Sequence, residues 1–351
     1  MRRLTGLVLG ALCAAAAFAG SATAQGFPET RLRVIGGLAN VTQYVRYEEP
    51  FWSQRLPELT RGAVRAQIAP FDRSGIRGPE LFQLVRLGVA PFATVLLAQM
   101  SADEPEFSAV DLPGLSPDMA ALRANVAAYR PRIEGALRER YGVEVLAIYA
   151  YPAQVVFCVR PFQTLADLRG RRIRTSAAPQ AGLVEALGGV PVVIPFAAIV
   201  ENVRGGVVDC AITGTMSGNT IGLHEVTSHV SGLALSWGIA VFLANGDAWR
   251  GLAEPVRALL RRELAQLEAA IWESAERETG EGLTCNAGRP ECASGRRGRM
   301  TVVEPTPDDA RLLRDVFRDS VLPRWVDLCG ADCARAWNGT LGRLTGIPAR
   351  E

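Results

Sequence analysis

The alternation of charged and apolar residues in Arg31-Leu32-Arg33-Val34-Ile35-Gly36, ended by Gly36-Gly37, predicts a first strand running into a loop. Residues 44–59 then read as a helix stopped by Arg61-Gly62, and residues 64–69 as a second strand. A helix over 79–87, closed by Gly88, precedes an apolar run at 94–98 that fits a buried strand. Ser116-Pro117 predicts a helix start, because serine caps free backbone donors and proline at the first helical position loses no bond. That helix should run toward Arg140, kinked or broken at Pro131. Strands follow at 143–149 and 155–160.

The pattern repeats further along. Strands are expected at 171–175, 190–194 and 207–213, with helices at 178–187 and 196–204 between them and glycine pairs at their ends. The third of these strands breaks into Gly214-Thr215-Met216-Ser217-Gly218. One more strand falls at 239–244. A long helix follows over 255–278, in which Val256, Leu259, Leu260, Leu264, Leu267, Ile271 and Ala275 keep one face. A last helical stretch spans 307–325. Strands alternating with helices imply an α/β architecture.

The N-terminus adds a compartment. Arg2 and Arg3, the apolar run 4–19 and the small residues Ala22-Thr23-Ala24 make a secretory signal, with cleavage expected after Ala24. The apolar run is too short to span a bilayer, and no other stretch is long and apolar enough. Leu12 before Cys13 argues against a lipoprotein. A chain of this length carries about two domains or one two-lobed unit.

Lys+Arg total 38 against 36 Asp+Glu, and removal of Arg2 and Arg3 leaves 36 against 36. This neutrality argues against a nucleic-acid partner, which needs a basic excess. Every basic residue of the 38 is arginine, a bias that nucleotide composition explains, so each arginine is judged by position. Six cysteines lie beyond the signal: Cys158, Cys210, Cys285, Cys292, Cys329 and Cys333. In an oxidising compartment an even count points to disulfides. Local pairing of 285 with 292 and of 329 with 333 is simplest, although six cysteines allow about 15 connectivities. Zinc knuckle spacing is missing, and no metal or cofactor is expected.

Catalytic signatures are weak. His224 and His229 lie five apart and share no helical face. The Gly214–Gly218 run places serine fourth, where a nucleophile elbow needs it third. A chain with no lysine has no phosphate-binding Gly-Lys-Ser/Thr loop. Binding is the better reading than catalysis.

One segment carries a family likeness. Leu165-Ala166-Asp167-Leu168-Arg169-Gly170-Arg171-Arg172-Ile173-Arg174, then Ala186-Leu187-Gly188-Gly189-Val190-Pro191, Ile194-Pro195-Phe196 and Arg204-Gly205-Gly206-Val207-Val208-Asp209, resemble the second-lobe motif of solute-binding proteins of tripartite ATP-independent periplasmic (TRAP) transporters. Fainter likeness reaches back to residues 79–88 and 111–115. The resemblance implies a two-lobed periplasmic binding protein with hinge strands and a long helix bridging both lobes. It places lobe 1 at 25–152 plus about 236–253, the bridge at 254–282, and lobe 2 at 153–235 plus about 283–351. It implies a small organic acid in the interlobe cleft and delivery to TRAP membrane subunits.

By the same resemblance the ligand-clamping arginine is Arg174, and Phe196 is an aromatic wall. A planar guanidinium at a strand end suits a carboxylate independently of any family. Many relatives carry Gln-Glu-Asn-Pro after Asp209; here Thr213 takes the place of that asparagine, followed by Gly214 and Thr215. Gln154 stands where some relatives carry a second arginine, which argues against a strongly acidic ligand. Trp237 is a further candidate wall. A Cys158–Cys210 bridge would pin the cleft floor. A binding protein for another importer class, a periplasmic sensor and an enzyme on the same scaffold are the alternative functions.

Overall fold

The structure is a computed structural model that describes residues 26–350; the expected secretory signal at 1–24 lies outside them. Strands β1 (Thr30–Gly36), β2 (Val64–Pro70), β3 (Phe92–Leu96) and β4 (Val143–Ala150) build a first sheet. Strands β5 (Gln154–Cys158), β6 (Arg172–Thr175), β7 (Val190–Val193), β8 (Cys210–Gly214) and β9 (His229–Ser231) build a second. β10 (Ile239–Asn245) returns to the first sheet, and β11 (Thr301–Val303) closes the edge of the second. The orders are β2-β1-β3-β10-β4 and β11-β9-β5-β8-β6-β7. β1 runs parallel to β2 and β3, and β6 to β7 and β8, so helical crossovers must cover the sheet faces. β10 pairs antiparallel with both β3 and β4.

The chain crosses between the sheets at 151–153 and again at 232–238. The crossings bind each other: Tyr151 N donates to Gly238 O (2.9 Å), Gln154 N to Ser236 O (2.8 Å) and Leu235 N to Gln154 O (2.9 Å). Two backbone-bonded segments thus join the two sheets.

The long helix, Glu254–Asn286, braces both halves. Against the first sheet, Trp272 Nε1 donates to Ile148 O (2.8 Å), and Glu268 accepts from Ile148 N (2.9 Å) while ion-pairing with Arg130. Against the second, Thr215 Oγ1 donates to Glu278 O (3.0 Å) and Asn286 Nδ2 to Thr215 O (3.0 Å). The helix runs eight residues past its expected end at 278, through Gly280 and Gly282. Gly282 explains why: a Cβ there would lie 2.4 Å from Met216 N and 2.5 Å from Thr215 C. The helix backbone touches the helix Thr215–Thr220 at this point, and only glycine fits. Gly282→Ala should therefore cost about 1–3 kcal/mol through overpacking against backbone that has no slack. Guanidinium unfolding that shows an unchanged midpoint would contradict this close approach.

Other boundaries moved for local reasons. The helix expected from Ser116-Pro117 begins at Met119, capped by the Asp118 carboxylate, which accepts from Ala121 N. It continues to Tyr141 through Pro131, held from the side by buried Tyr129 and Ile133 and by the Arg130 ion pairs. β8 starts at Cys210 and not at Val207, because Asp209 turns out to bind Arg172. Short strands β9 and β11, three residues each, gave no periodic signal. The closing helices touch both halves: Asp309 accepts from Leu165 N (2.8 Å), and Trp325 Nε1 donates to Pro105 O (2.8 Å).

Three disulfides form, Cys158–Cys210, Cys285–Cys292 and Cys329–Cys333. No helix among the described residues is long and apolar enough to cross a membrane.

Candidate functional site

β5 and β8 lie antiparallel, with Gln154 opposite Gly214 at one end and Cys158 opposite Cys210 at the other. The disulfide therefore ties the far ends of the two strands whose near ends face the first sheet. β6 lies beside β8, placing Arg174 next to Ala211. From there the guanidinium turns inward and is 3 % exposed. Its Nε donates to Ile194 O (2.9 Å) and its Nη1 to Ile212 O (2.6 Å). The two carbonyls fix the plane of the group.

No carboxylate among the described residues ion-pairs with Arg174, and its Nη2 makes no hydrogen bond. Burial alone pushes its pKa down to about 9, so the side chain stays charged at neutral pH. An uncompensated buried charge costs several kcal/mol. The arrangement is one that an anion would stabilise.

A cavity opens at this guanidinium between the two sheets. From the second sheet it is lined by Arg174, Thr213, Gly214 and Ser217, with Pro195 and half-buried Phe196 as one wall. Thr213 Oγ1 and Ser217 Oγ make no hydrogen bond within the described residues, so both are available to an oxygen-rich guest. Gly214 keeps that corner open, since a Cβ there would lie 2.7 Å from Ser217 Oγ. From the first sheet come Leu38, Leu96, Ala98 and Gln99, and from the crossings Tyr151, Gly238 and Ile239. The Gln99 amide likewise makes no hydrogen bond within the described residues.

Gln154 lines the cavity, but its amide is already committed. Nε2 donates to Trp237 O (3.2 Å), and Oε1 accepts from Gln180 Nε2 (2.8 Å). Gly238, at φ +88°, makes room for it: a Cβ there would sit 2.6 Å from Gln154 Nε2. Gln154 thus shapes the wall and ties the crossings together.

Two expected residues lie elsewhere. The Thr215 hydroxyl is fully buried and spent on Glu278 O, facing the long helix. The Trp237 ring is buried in the first lobe, its Nε1 donating to Ser116 O (2.9 Å). Its backbone N–H and that of Gly238 both go to the Asp111 carboxylate, at 2.8 and 2.7 Å. Thr213 still lies on β8 and lines the cavity, whereas the chain turns into a helix at Thr215, which carries that hydroxyl off the strand's face. His224 and His229 are not among the residues lining the cavity. Burial lowers the pKa of His224, and His229 exchanges a hydrogen bond with Ser228 Oγ.

Ser217 and Gln99 were missed. Ser217 belongs to the Gly214–Gly218 run, in which the sequence points to Gly214 and Thr215 and gives Ser217 no role beyond a failed nucleophile motif. Gln99 gives no sequence signal, because it faces the cavity only once the first sheet is assembled. Beneath the first-sheet wall, Glu48 is buried and accepts from Gly37 N (2.7 Å) and from the Tyr149 hydroxyl. Burial pushes its pKa up to about 7.

Residues 41–285 match the family described as bacterial extracellular solute-binding protein, family 7 (DctP). Among curated proteins, the ectoine-binding periplasmic protein TeaA of Halomonas elongata is 25 % identical over 126 residues, 36 % of this chain. The match spans only 37 % of TeaA's length. Among solved structures, the extracytoplasmic solute receptor DctP6 of Bordetella pertussis, which binds pyroglutamic acid, superposes with a TM-score of 0.80 at 20 % identity. That alignment covers 89 % of this chain and 99 % of the receptor. DctP7 of the same organism, also a pyroglutamic acid receptor, gives 0.78 at 20 % identity over 88 % and 98 %. A TRAP periplasmic solute-binding protein of Desulfovibrio salexigens with bound orotic acid gives 0.75 at 16 % identity over 90 % and 97 %. At these identities the structural likeness speaks for the two-lobed fold alone.

Proposed function

This chain belongs to bacterial extracellular solute-binding protein family 7, and on that premise we propose that it captures a small organic acid between its lobes for a TRAP-type membrane transporter. The observation that carries the reading is the buried Arg174 guanidinium, held by two carbonyls, lining an interlobe cavity and left without a carboxylate partner among the described residues. The acid's carboxylate meets Arg174 Nη2, and the Thr213 and Ser217 hydroxyls hydrogen-bond its oxygens. Phe196 covers one side, while Gln154 holds the wall in place. The lobes then close by pivoting about the two crossings, and the closed form is the one the membrane subunits receive. Closure removes water, which lowers the effective dielectric and strengthens the ion pair.

A thermal-shift screen of the purified protein against keto acids, sugar acids, amino-acid derivatives and dicarboxylates tests this. At least one class should raise the melting temperature in proportion to the logarithm of its concentration. A chain stabilised by none of them, or one that turns a bound acid over, would refute the reading.

A further inference from the structure

The charges around the cavity are unequal, and this bears on which acids it takes. Among the described residues, Arg174 is the only charged side chain lining the inner chamber. A second, outer chamber continues from it, and the two share Leu38, Ala98, Gln99, Ser176, Pro195 and Phe196. The outer walls are largely apolar, built from Phe71, Ile76, Ala177, Ala178 and Val193 as well as the shared residues. Val193 and Phe196 meet it from the second lobe, and Val193 is 61 % exposed, a large apolar surface with no protein cover. Two charged residues, Asp72 and Arg77, also line it. Arg77 is already paired with Glu80. Asp72 accepts from Ala39 N (3.0 Å) and is raised in pKa mainly by burial.

A ligand with two carboxylates held in the inner chamber would therefore find one cation and lose solvent from its second charge without repayment. Extended outward, that second charge would meet the Asp72 carboxylate as well as Arg77, whose exposed guanidinium is shared with Glu80. An apolar body would instead cover Phe196, Val193 and Ile76. At the junction, the unbonded Gln99 amide offers both a donor and an acceptor to a neutral keto, hydroxyl or amide group.

We infer that the ligand is a monocarboxylic acid with an apolar branched or aromatic body and a neutral polar group close to the carboxylate. This rests on the capture reading above. Isothermal titration calorimetry with 4-methyl-2-oxopentanoate and phenylpyruvate on one side, and succinate and 2-oxoglutarate on the other, tests it. The monocarboxylates should bind at least about tenfold more tightly, the scale set by one or two apolar groups in a fitted pocket. Phe196→Ala should weaken the monocarboxylates about tenfold and the dicarboxylates by clearly less, because the ring covers an apolar body more fully than a second charge. Dicarboxylates that bind as tightly as the monocarboxylates, or that lose equally on Phe196→Ala, would overturn the inference and leave the capture of organic acids standing. If none of the four acids binds, the inference falls, while the capture of organic acids stands or falls with the broader thermal-shift screen.

Discussion

Replacing Arg174 by methionine should weaken binding of the captured acid by about 2–5 kcal/mol, roughly thirtyfold to several thousandfold, the range for removing one partner of a buried charge pair. The argument is one of position. The guanidinium is 3 % exposed, and its Nε and Nη1 are bonded to Ile194 O and Ile212 O. No carboxylate among the described residues answers its charge, so the ligand's carboxylate would supply the missing half. Methionine keeps much of the aliphatic length and removes the charge. The ligand-induced rise in melting temperature should vanish with it. Arg174→Lys keeps the charge but loses the planar fork that bonds Ile194 O and Ile212 O while presenting Nη2, so it should fall between wild type and methionine. Calorimetry that finds the methionine variant binding as tightly as wild type would remove Arg174 from the site.

The second large effect belongs to the Cys158–Cys210 bridge. It closes a loop with a sequence separation of 52, against 7 for Cys285–Cys292 and 4 for Cys329–Cys333. In the chain-entropy account, the longer the closed loop, the more freedom the bond removes from the unfolded chain. Cys158→Ala with Cys210→Ala should cost about 4 kcal/mol of stability, against about 2 kcal/mol for either local pair. Both cysteines are fully buried, which adds a packing loss to the larger figure. Guanidinium unfolding of the three double variants gives the ranking directly. A Cys158/Cys210 variant no less stable than the other two would contradict it. Binding should survive at low temperature, because the bridge ties β5 and β8 at the ends opposite Gln154 and Gly214.

Long, strongly patterned elements were legible in the chain. The seven apolar positions of the long helix, and the run from Leu165 to Arg174 with its continuation to Asp209, sufficed for the α/β class, the two-lobed family and the single most pointed residue, Arg174. Those signals are local: a period of 3.6, a capping residue, a strand ended by glycine. Thr213, Gly214, Gln154 and Phe196 also line the cavity. What each does there was not legible. Gln154 reads in sequence as a free amide, yet Trp237 O and Gln180 hold both its ends. Thr215 reads like Thr213, yet two residues along the chain its hydroxyl meets the long helix. Trp237 reads as a wall and is buried against Ser116.

What the sequence determined by itself was most of the long elements, their order, the family they compose and the arginine one residue before the end of β6. Which side chains share a cavity, which cysteines pair, and why the long helix needs glycine at 282 were decided only when the two sheets and the helix packed. Those outcomes depend on groups far apart in the chain competing for the same few ångströms. A hydrogen-bonding group is free for a ligand only if nothing brought to it by the fold takes it first, as Gln180 takes Gln154 while no described residue takes the side chain of Gln99 or Ser217.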